Sequence, residues 1–309
     1  MNKYLLPILC IISMAHAAEE QQIVKREPRE WDAAAYAKGN KLQEQWAKFF
    51  LQTSKLNLKN KKVVDIGCGT GNITAFIATM AKKAHGIDAS NNMIKYAQET
   101  HKLIPNLSFE QSFAEEFSPK KRFDVAMSFF CLHWIENKQQ TLLQVNHALT
   151  TDGEFFGTHL SSSDPEPIHF TVLKELIPTL SDEYSAFKQA DWRAGMEYFI
   201  LSDKEFQSLL LRNGFDIISY EHKSLDLFLT KEELEEAIKP ILMSRPFIQT
   251  ISEDLRNSFF NLYISKVIER LEEQNDNLYI IPAEKCKTRV FHARKRAEIL
   301  HMPHIGEGL

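Results

Sequence analysis

The sequence predicts an α/β fold, a mostly parallel sheet with helices on both faces, and three observations carry that prediction. Short apolar runs alternate with helix-period segments from residue 62 to residue 160. One of them, VVDIGCGTGN at residues 63–72, passes from a strand through alternate glycines into a helix. A second, HGID at residues 85–88, ends in an acid. Such alternation implies parallel strands joined by crossover helices. Ahead of it, Trp31, Ala34, Ala35, Leu42, Trp46, Phe49 and Phe50 space one or two amphipathic helices, broken near Gly39-Asn40. The core then reads as strand 62–66, helix 71–83, strand 84–88, helix 90–102 with Ser90 as N-cap, and strand 107–111. Strand 123–128, helix 138–149 and strand 153–160 follow. Residues 161–167, SSSDPEP, form a turn-rich hinge, and helical patterning continues to residue 200. Ser202 caps a helix to residue 212 with Glu205 completing a capping box. Residues 215–227 read as the sixth strand, 230–275 as a second helical insertion, and 287–293 as a last strand pairing antiparallel.

The glycine loop narrows the ligand. Gly67, Gly69 and Gly71 lack a β-carbon, so the turn can adopt positive φ and bring main chain against a bulky group. The spacing is G-x-G-x-G, whereas a dinucleotide fingerprint runs G-x-G-x-x-G with a pyrophosphate at the helix N-terminus. Asp65, two residues before the first glycine, would repel a pyrophosphate but can accept a hydrogen bond from an ammonium group. The ligand this loop suits is a nucleoside. Asp88 ends the next strand, 23 residues after Asp65.

This pattern resembles the first motif of the class I S-adenosylmethionine-dependent methyltransferases. The resemblance extends to ASNNMIKYA at 89–97, which is similar to the family's helix after the ribose acid, and to FDVAMSFFCLHWI at 123–135. The triplet Leu132-His133-Trp134 resembles the branch that holds the trans-aconitate, malonyl-carrier-protein and juvenile hormone acid methyltransferases. It implies a Rossmann-like seven-stranded sheet with the last strand antiparallel and S-adenosylmethionine as cofactor. The cofactor residues it implies are Asp65, Gly67, Cys68, Gly69, Gly71, Asp88, Ala89 and Met93, with Ala114 near the adenine and Ser128 at the fourth strand's end. Tyr36 and Gln45 match positions facing the methionine end. One departure stands out: where the family has an acid for the adenine amino group, this chain has Phe113, leaving that contact to stacking, to Ala114 or to Glu115.

Composition limits the acceptor. The chain has 309 residues, 44% hydrophobic and 25% charged, with a net charge of −4. An acidic balance argues against nucleic-acid binding, which needs a basic face, and favours a small-molecule substrate. The basic run at 285–296 reads as a strand with a solvated flank. Residues 1–17 combine Lys3, an apolar run too short to be a stable membrane span, and the ending Ala15-His16-Ala17, the layout of a cleavable signal. Export is therefore expected, set against the cytosolic origin of the cofactor, and a cytoplasmic location is the alternative. The predicted organisation is a signal at 1–17, a flexible arm at 18–30, a domain at 31–297 and a tail at 298–309. Within the domain lie a helical lid at 31–52, a core at 60–160 and cap insertions at about 161–200 and 230–275. Cys68 and Cys131 follow neighbouring strands and are expected to be unpaired thiols. The His and Cys spacing supports no metal site, and the oligomeric state is not encoded in any motif.

Chemically, methyl transfer needs an aligned acceptor. A carboxylate acceptor is already ionised and needs no base, whereas a phenol, amine or carbon acid does, and His133 and His159 are the candidate bases. Arg193 and Arg245, beside apolar neighbours in the cap, are candidate carboxylate clamps, with Tyr36 and Trp134 as further substrate contacts. A helical cap docking a partner, with cofactor bound but no catalysis, is the third reading.

Overall fold

A computed structural model describes residues 27–163, 168–190, 199–243, 246–275, 278–281 and 287–297. The signal segment, most of the arm, the tail, Cys286, Arg193 and Arg245 lie outside the described residues. Two lid helices, α1 (Ala33–Gly39) and α2 (Lys41–Thr53), precede β1 (Lys62–Ile66), α3 (Asn72–Ala78), β2 (Lys83–Asp88), α4 (Asn91–Thr100) and β3 (Leu107–Gln111). Then come β4 (Phe123–Ser128), α5 (Lys138–Ala148), β5 (Leu149–His159), α6 (Ile168–Leu176) and α7 (Ser185–Gln189). The chain continues through α8 (Asp203–Arg212), β6 (Phe215–Ser224), β7 (Leu227–Thr230), α9 (Lys231–Met243) and α10 (Glu253–Ile268). It closes with β8 (Glu272–Asn275), β9 (Leu278–Ile281) and β10 (Lys287–Lys295).

Seven strands form one sheet in the order β3-β2-β1-β4-β5-β10-β6, parallel from β3 to β5, with β10 antiparallel to both of its neighbours. Strand order reverses between β1 and β4, so the carboxyl ends of β1, β2 and β4 open onto one crevice. Apart from Asp65, the interior of β1 is apolar on both faces, as suits a central parallel strand. Val64 and Ile66 pack with Phe155, Leu142 and Phe206 on one side, while Val63 packs with Met127, Trp46 and Phe50 on the other. The lid helices therefore owe their position to Trp46 and Phe50, which are buried against the sheet.

The cap has its own core, in which Val172 and Leu176 meet Phe187, Phe247, Phe259 and Tyr263. Its contact with the lid is backbone to backbone: a β-carbon at Gly39 would lie 2.0 Å from the Glu236 carbonyl oxygen. The Gly39-Asn40 break thus serves two ends, stopping α1 and letting α9 cross it closely.

Three expectations are corrected. The sixth strand ends at Ser224, and Leu227–Thr230 leaves the main sheet to pair with β9, which also pairs with β8, in a three-stranded antiparallel sheet. The insertion over 230–275 is accordingly not all helical. The end of the arm is ordered on the core: Glu30 accepts hydrogen bonds from Ser90 Oγ at 2.7 Å and from the N–H groups of Asn91 at 3.0 Å and Asn92 at 3.1 Å. It caps α4, where a carboxylate also meets the positive end of the helix dipole. Among the described residues no helix is long and apolar enough to cross a membrane.

Candidate functional site

The crevice holds a cavity of about 530 Å³. Its floor is the loop between β1 and α3, where Gly67, Gly69 and Gly71 have φ of 74°, 52° and 82°. Two of these need glycine for different reasons. A β-carbon on Gly67 would lie 2.0 Å from Cys131 Sγ, so the loop nests under the turn after β4; at Gly69 the nearest atom is Tyr36 Cε1 at 4.0 Å, so the main chain faces open cavity. The loop is held from below by Gly67 and Cys68 N–H groups donating to Ile87 O at 2.8 and 2.9 Å. Asn40, at the lid break, hydrogen-bonds the Thr70 hydroxyl at 3.0 Å, and Asn72 Nδ2 donates to Glu44 Oε1 at 2.5 Å, which fastens the lid to the same loop.

Asp88 stands at the cavity wall. Its Oδ2 accepts from Gly69 N–H and its Oδ1 from Ser90 N–H, each at 2.9 Å. An ionised carboxylate offers about four acceptor positions, so each oxygen keeps capacity for a ligand hydroxyl. Burial pushes this carboxyl above its ordinary value, against the two N–H donors that pull it down, and the charge of Glu30 adds to the rise. A hydroxyl-rich ligand that donates to it relieves that burial.

Asp65 lies elsewhere than the sequence placed it. It sits beneath the loop, behind the cavity wall, where Thr74 Oγ1 donates to its Oδ2 at 2.6 Å. Burial raises its pKa to about 7, Thr74 opposing and the charge of Asp88 reinforcing the rise. Because the folded value lies above the unfolded one, its contribution to stability is complete at low pH and is lost as pH rises from about 4 towards 7. Asp65→Asn, which keeps an acceptor for Thr74, is expected to raise the Tm of the ligand-free protein at pH 8, with the gain shrinking as pH falls and vanishing only below about pH 4; a constant gain across that range would rule out titration as its cause.

Of the other sequence candidates, Tyr36, Gly67, Cys68, Gly69, Ala89, Met93, Ala114, His133 and Trp134 line the cavity. Gly71 lies behind the wall, packed against Phe109 and Ala97. Ser128 is fully buried and donates to Ile66 O at 3.0 Å, tying β4 to β1. His159 is corrected outright as a candidate base. It stacks on Phe206 at 4.1 Å between ring centres, lies 3.1 Å from Leu201 O through Nε2, and stays off the cavity, while the next residue, Leu160, reaches it. Cys68 and Cys131 are unpaired. Their thiols are raised in pKa, first by burial and then by the charges of Asp88 and Asp65. Among the described residues no group of three His, Cys, Asp or Glu side chains could hold a metal.

Sequence reasoning missed three contributors. Gln43 lines the cavity and its buried Oε1 has no hydrogen-bond partner among the described residues, while the favoured Gln45 is exposed. The signal was present: Tyr36, Asn40 and Gln43 follow i, i+4, i+7 spacing and all reach the cavity. Lys138, buried against Phe199, donates through Nζ to Ile135 O at 2.6 Å and pins the turn carrying His133 and Trp134; burial lowers its pKa to about 8. Finally, residues 27–31 roof the cavity. Trp31 packs edge-on against Tyr36 and Trp134 at 5.7 and 5.4 Å, and the Arg29 guanidinium lies 4.8 Å from the Trp31 ring centre and 5.1 Å from that of Trp134.

Comparison with known proteins agrees with this architecture. A family model described as "Methyltransferase domain" matches residues 57–239. The juvenile hormone acid O-methyltransferase of Drosophila melanogaster is 25% identical over 292 residues, covering 87% of this chain and 94% of the fly protein. Protein 235L of Invertebrate iridescent virus 6 is 33% identical over 149 residues, 48% of this chain, and the match spans 54% of the viral protein. In the crystal structure of Bacillus subtilis YcgJ the fold recurs with a TM-score of 0.51 at 17% identity, covering 82% of this chain and 98% of that one.

Proposed function

Because the chain belongs to the class I S-adenosylmethionine-dependent methyltransferases, in the branch of the juvenile hormone acid, malonyl-carrier-protein and trans-aconitate enzymes, we propose that its acceptor is the carboxylate of a small organic acid. The fit of the cofactor rests on the loop and its neighbours. A β-carbon-free surface at Gly69 would take the nucleoside, Asp88 the ribose hydroxyls, and the orphaned Gln43 Oε1 an ammonium hydrogen. When bound, the cofactor supplies an electrophilic methyl on a sulfonium.

The chain's own residues then have a short task. Tyr36 lies over Gly69, Trp31 and Trp134 continue the aromatic wall from it, and the three would exclude water from the reacting end. A carboxylate arrives ionised, so alignment supplies most of the rate, roughly 7 to 11 kcal/mol for two well-oriented reactants. The observation that carries the reading is this wall: aromatic faces with amide, indole and guanidinium donors, suited to hold an anion still. His133, on the same wall, favours the second reading, methylation of a phenol, amine or carbon centre. Transfer of a tritiated methyl to an acid panel separates the two. A carboxylate acceptor is expected to give a product that releases labelled methanol in mild alkali, with kcat/KM flat through pH 6 to 8 and with His133→Asn costing less than about tenfold. An alkali-stable product, with a rate rising through a pKa near 6.5 that His133→Asn abolishes, would overturn it. Cofactor binding with no transfer would favour the docking reading instead.

A further inference from the structure

The roof segment 27–31 is built with a period of two. Glu27, Arg29 and Trp31 face the cavity, while Glu30 turns the other way and caps α4, the helix that starts just past Asp88 and Ala89. An extended chain alternates its side chains in this manner, so fixing Glu30 on the helix end fixes which neighbours point inward. Arg29 is thereby delivered to the cavity rim, its guanidinium within cation–π distance of both Trp31 and Trp134. Trp134 comes from the turn after β4 and Trp31 from the roof, so the stack also joins the two walls of the mouth. A guanidinium recognises a carboxylate through its in-plane N–H groups.

Electrostatics give this placement a consequence. A bound sulfonium puts one positive centre in the cavity and Arg29 puts a second at its mouth. Asp88, Glu115 and Glu27 share the cavity wall with them, so any preference for an anion is local to the space between the sulfonium and Arg29 and is not a field of the whole cavity. Resting on the carboxylate reading above, we propose that Arg29 is the residue that receives the acceptor's carboxylate, held for the purpose against the edge-on pair of Trp31 and Trp134.

The test uses the full chain with trans-aconitate, glutarate and dodecanoate as acceptors, and Arg29→Met and Arg29→Lys as variants. For Arg29→Met the expected result is a KM for acids raised about 20-fold, as loss of one exposed charge-assisted contact gives, with kcat within threefold. Affinity for S-adenosylhomocysteine, measured by calorimetry, stays within twofold of wild type. Arg29→Lys falls between, because an ammonium keeps the charge but not the planar fork. Raising salt should increase the wild-type KM and leave that of Arg29→Met nearly level, a signature that simple roof anchoring would not produce. An unchanged KM for every acid that wild type methylates, or an equal loss of S-adenosylhomocysteine affinity, overturns the role of Arg29 alone. If wild type esterifies none of the acids and its S-adenosylhomocysteine complex binds none of them, the carboxylate reading falls and the proposal falls with it.

Discussion

Asp88→Asn is expected to weaken S-adenosylhomocysteine binding about 100-fold, near 2.7 kcal/mol, measured by calorimetry at pH 7.5. Two losses combine. The ionised carboxylate accepts from Gly69 N–H through Oδ2 and from Ser90 N–H through Oδ1 while retaining acceptor positions towards the cavity; an amide has one acceptor oxygen, so its NH2 must face one of these two N–H groups. In the place of Oδ2 it unseats Gly69, whose φ of 52° is part of the loop's shape, in the place of Oδ1 it unseats the Ser90 N–H, and either way only one oxygen is left to accept from the ribose hydroxyls. Charge-assisted bonds contribute roughly 1.5 to 3 kcal/mol each, so losing one and weakening another accounts for the figure. Asp88→Ala should bind as weakly or more so, since it leaves two donors unmet. The ligand-free variants should stay folded, because removing a buried carboxylate whose pKa is raised relieves a burial cost. Binding within threefold of wild type would remove Asp88 from the cofactor site.

The parts of this site that were legible in the sequence are those in which backbone geometry restricts residue choice. A loop that needs positive φ at Gly67, Gly69 and Gly71 advertises itself, and an acid at the end of β2 has its place set by strand register, Ile66 opposite Ile87. What failed were readings that depend on which face a side chain takes. His159 and Leu160 differ by one residue at the end of β5, yet one stacks on Phe206 and the other reaches the cavity. A strand-end position does not say which. Gln43 and Gln45 are separated by a larger turn of a helix, and only the orientation of the lid decides between them. β8 carries Glu272 and Glu273 and shows no alternation to predict a strand; it forms because β9 offers it an antiparallel partner. The basic stretch near the C-terminus forms a strand with Lys287, Arg294 and Arg296 exposed, as read, but two of its cations turn inward. Lys295 is buried and donates through Nζ to Asn146 O at 2.9 Å and Leu149 O at 3.2 Å, and Arg289 is buried as well. Charge density along a chain is blind to carbonyls and carboxylates brought from distant segments.

Arg289 gives the largest expected effect on stability. It projects from β10, 4% exposed, and its Nε contacts Asp203 Oδ1 at the first residue of α8. Tyr220 of β6 donates to the same oxygen at 3.0 Å, and Ser161 beyond β5 hydrogen-bonds the same carboxylate. One ion pair thus gathers the ends of three adjacent strands under a helix N-terminus, close to where Leu160 enters the cavity. Burial by itself would raise the Asp203 carboxyl, but hydrogen bonds from Ser161, Arg289 and Tyr220, with the arginine's charge, outweigh it and hold the group below its ordinary value. A depressed acid stabilises the fold above its unfolded pKa and releases that stability as pH falls through the folded one. Asp203→Leu strands the guanidinium in a buried place, and should cost about 3 to 5 kcal/mol in urea unfolding at pH 7. Arg289→Met leaves a carboxylate that is partly exposed and still hydrogen-bonded by Tyr220, so its cost should be smaller, about 2 kcal/mol. The double variant, having neither charge, is expected to be more stable than Asp203→Leu alone, because the orphaned cation is what destabilises most. Additive losses in that cycle would mean that the two side chains stabilise the strand ends independently and that their pairing contributes nothing.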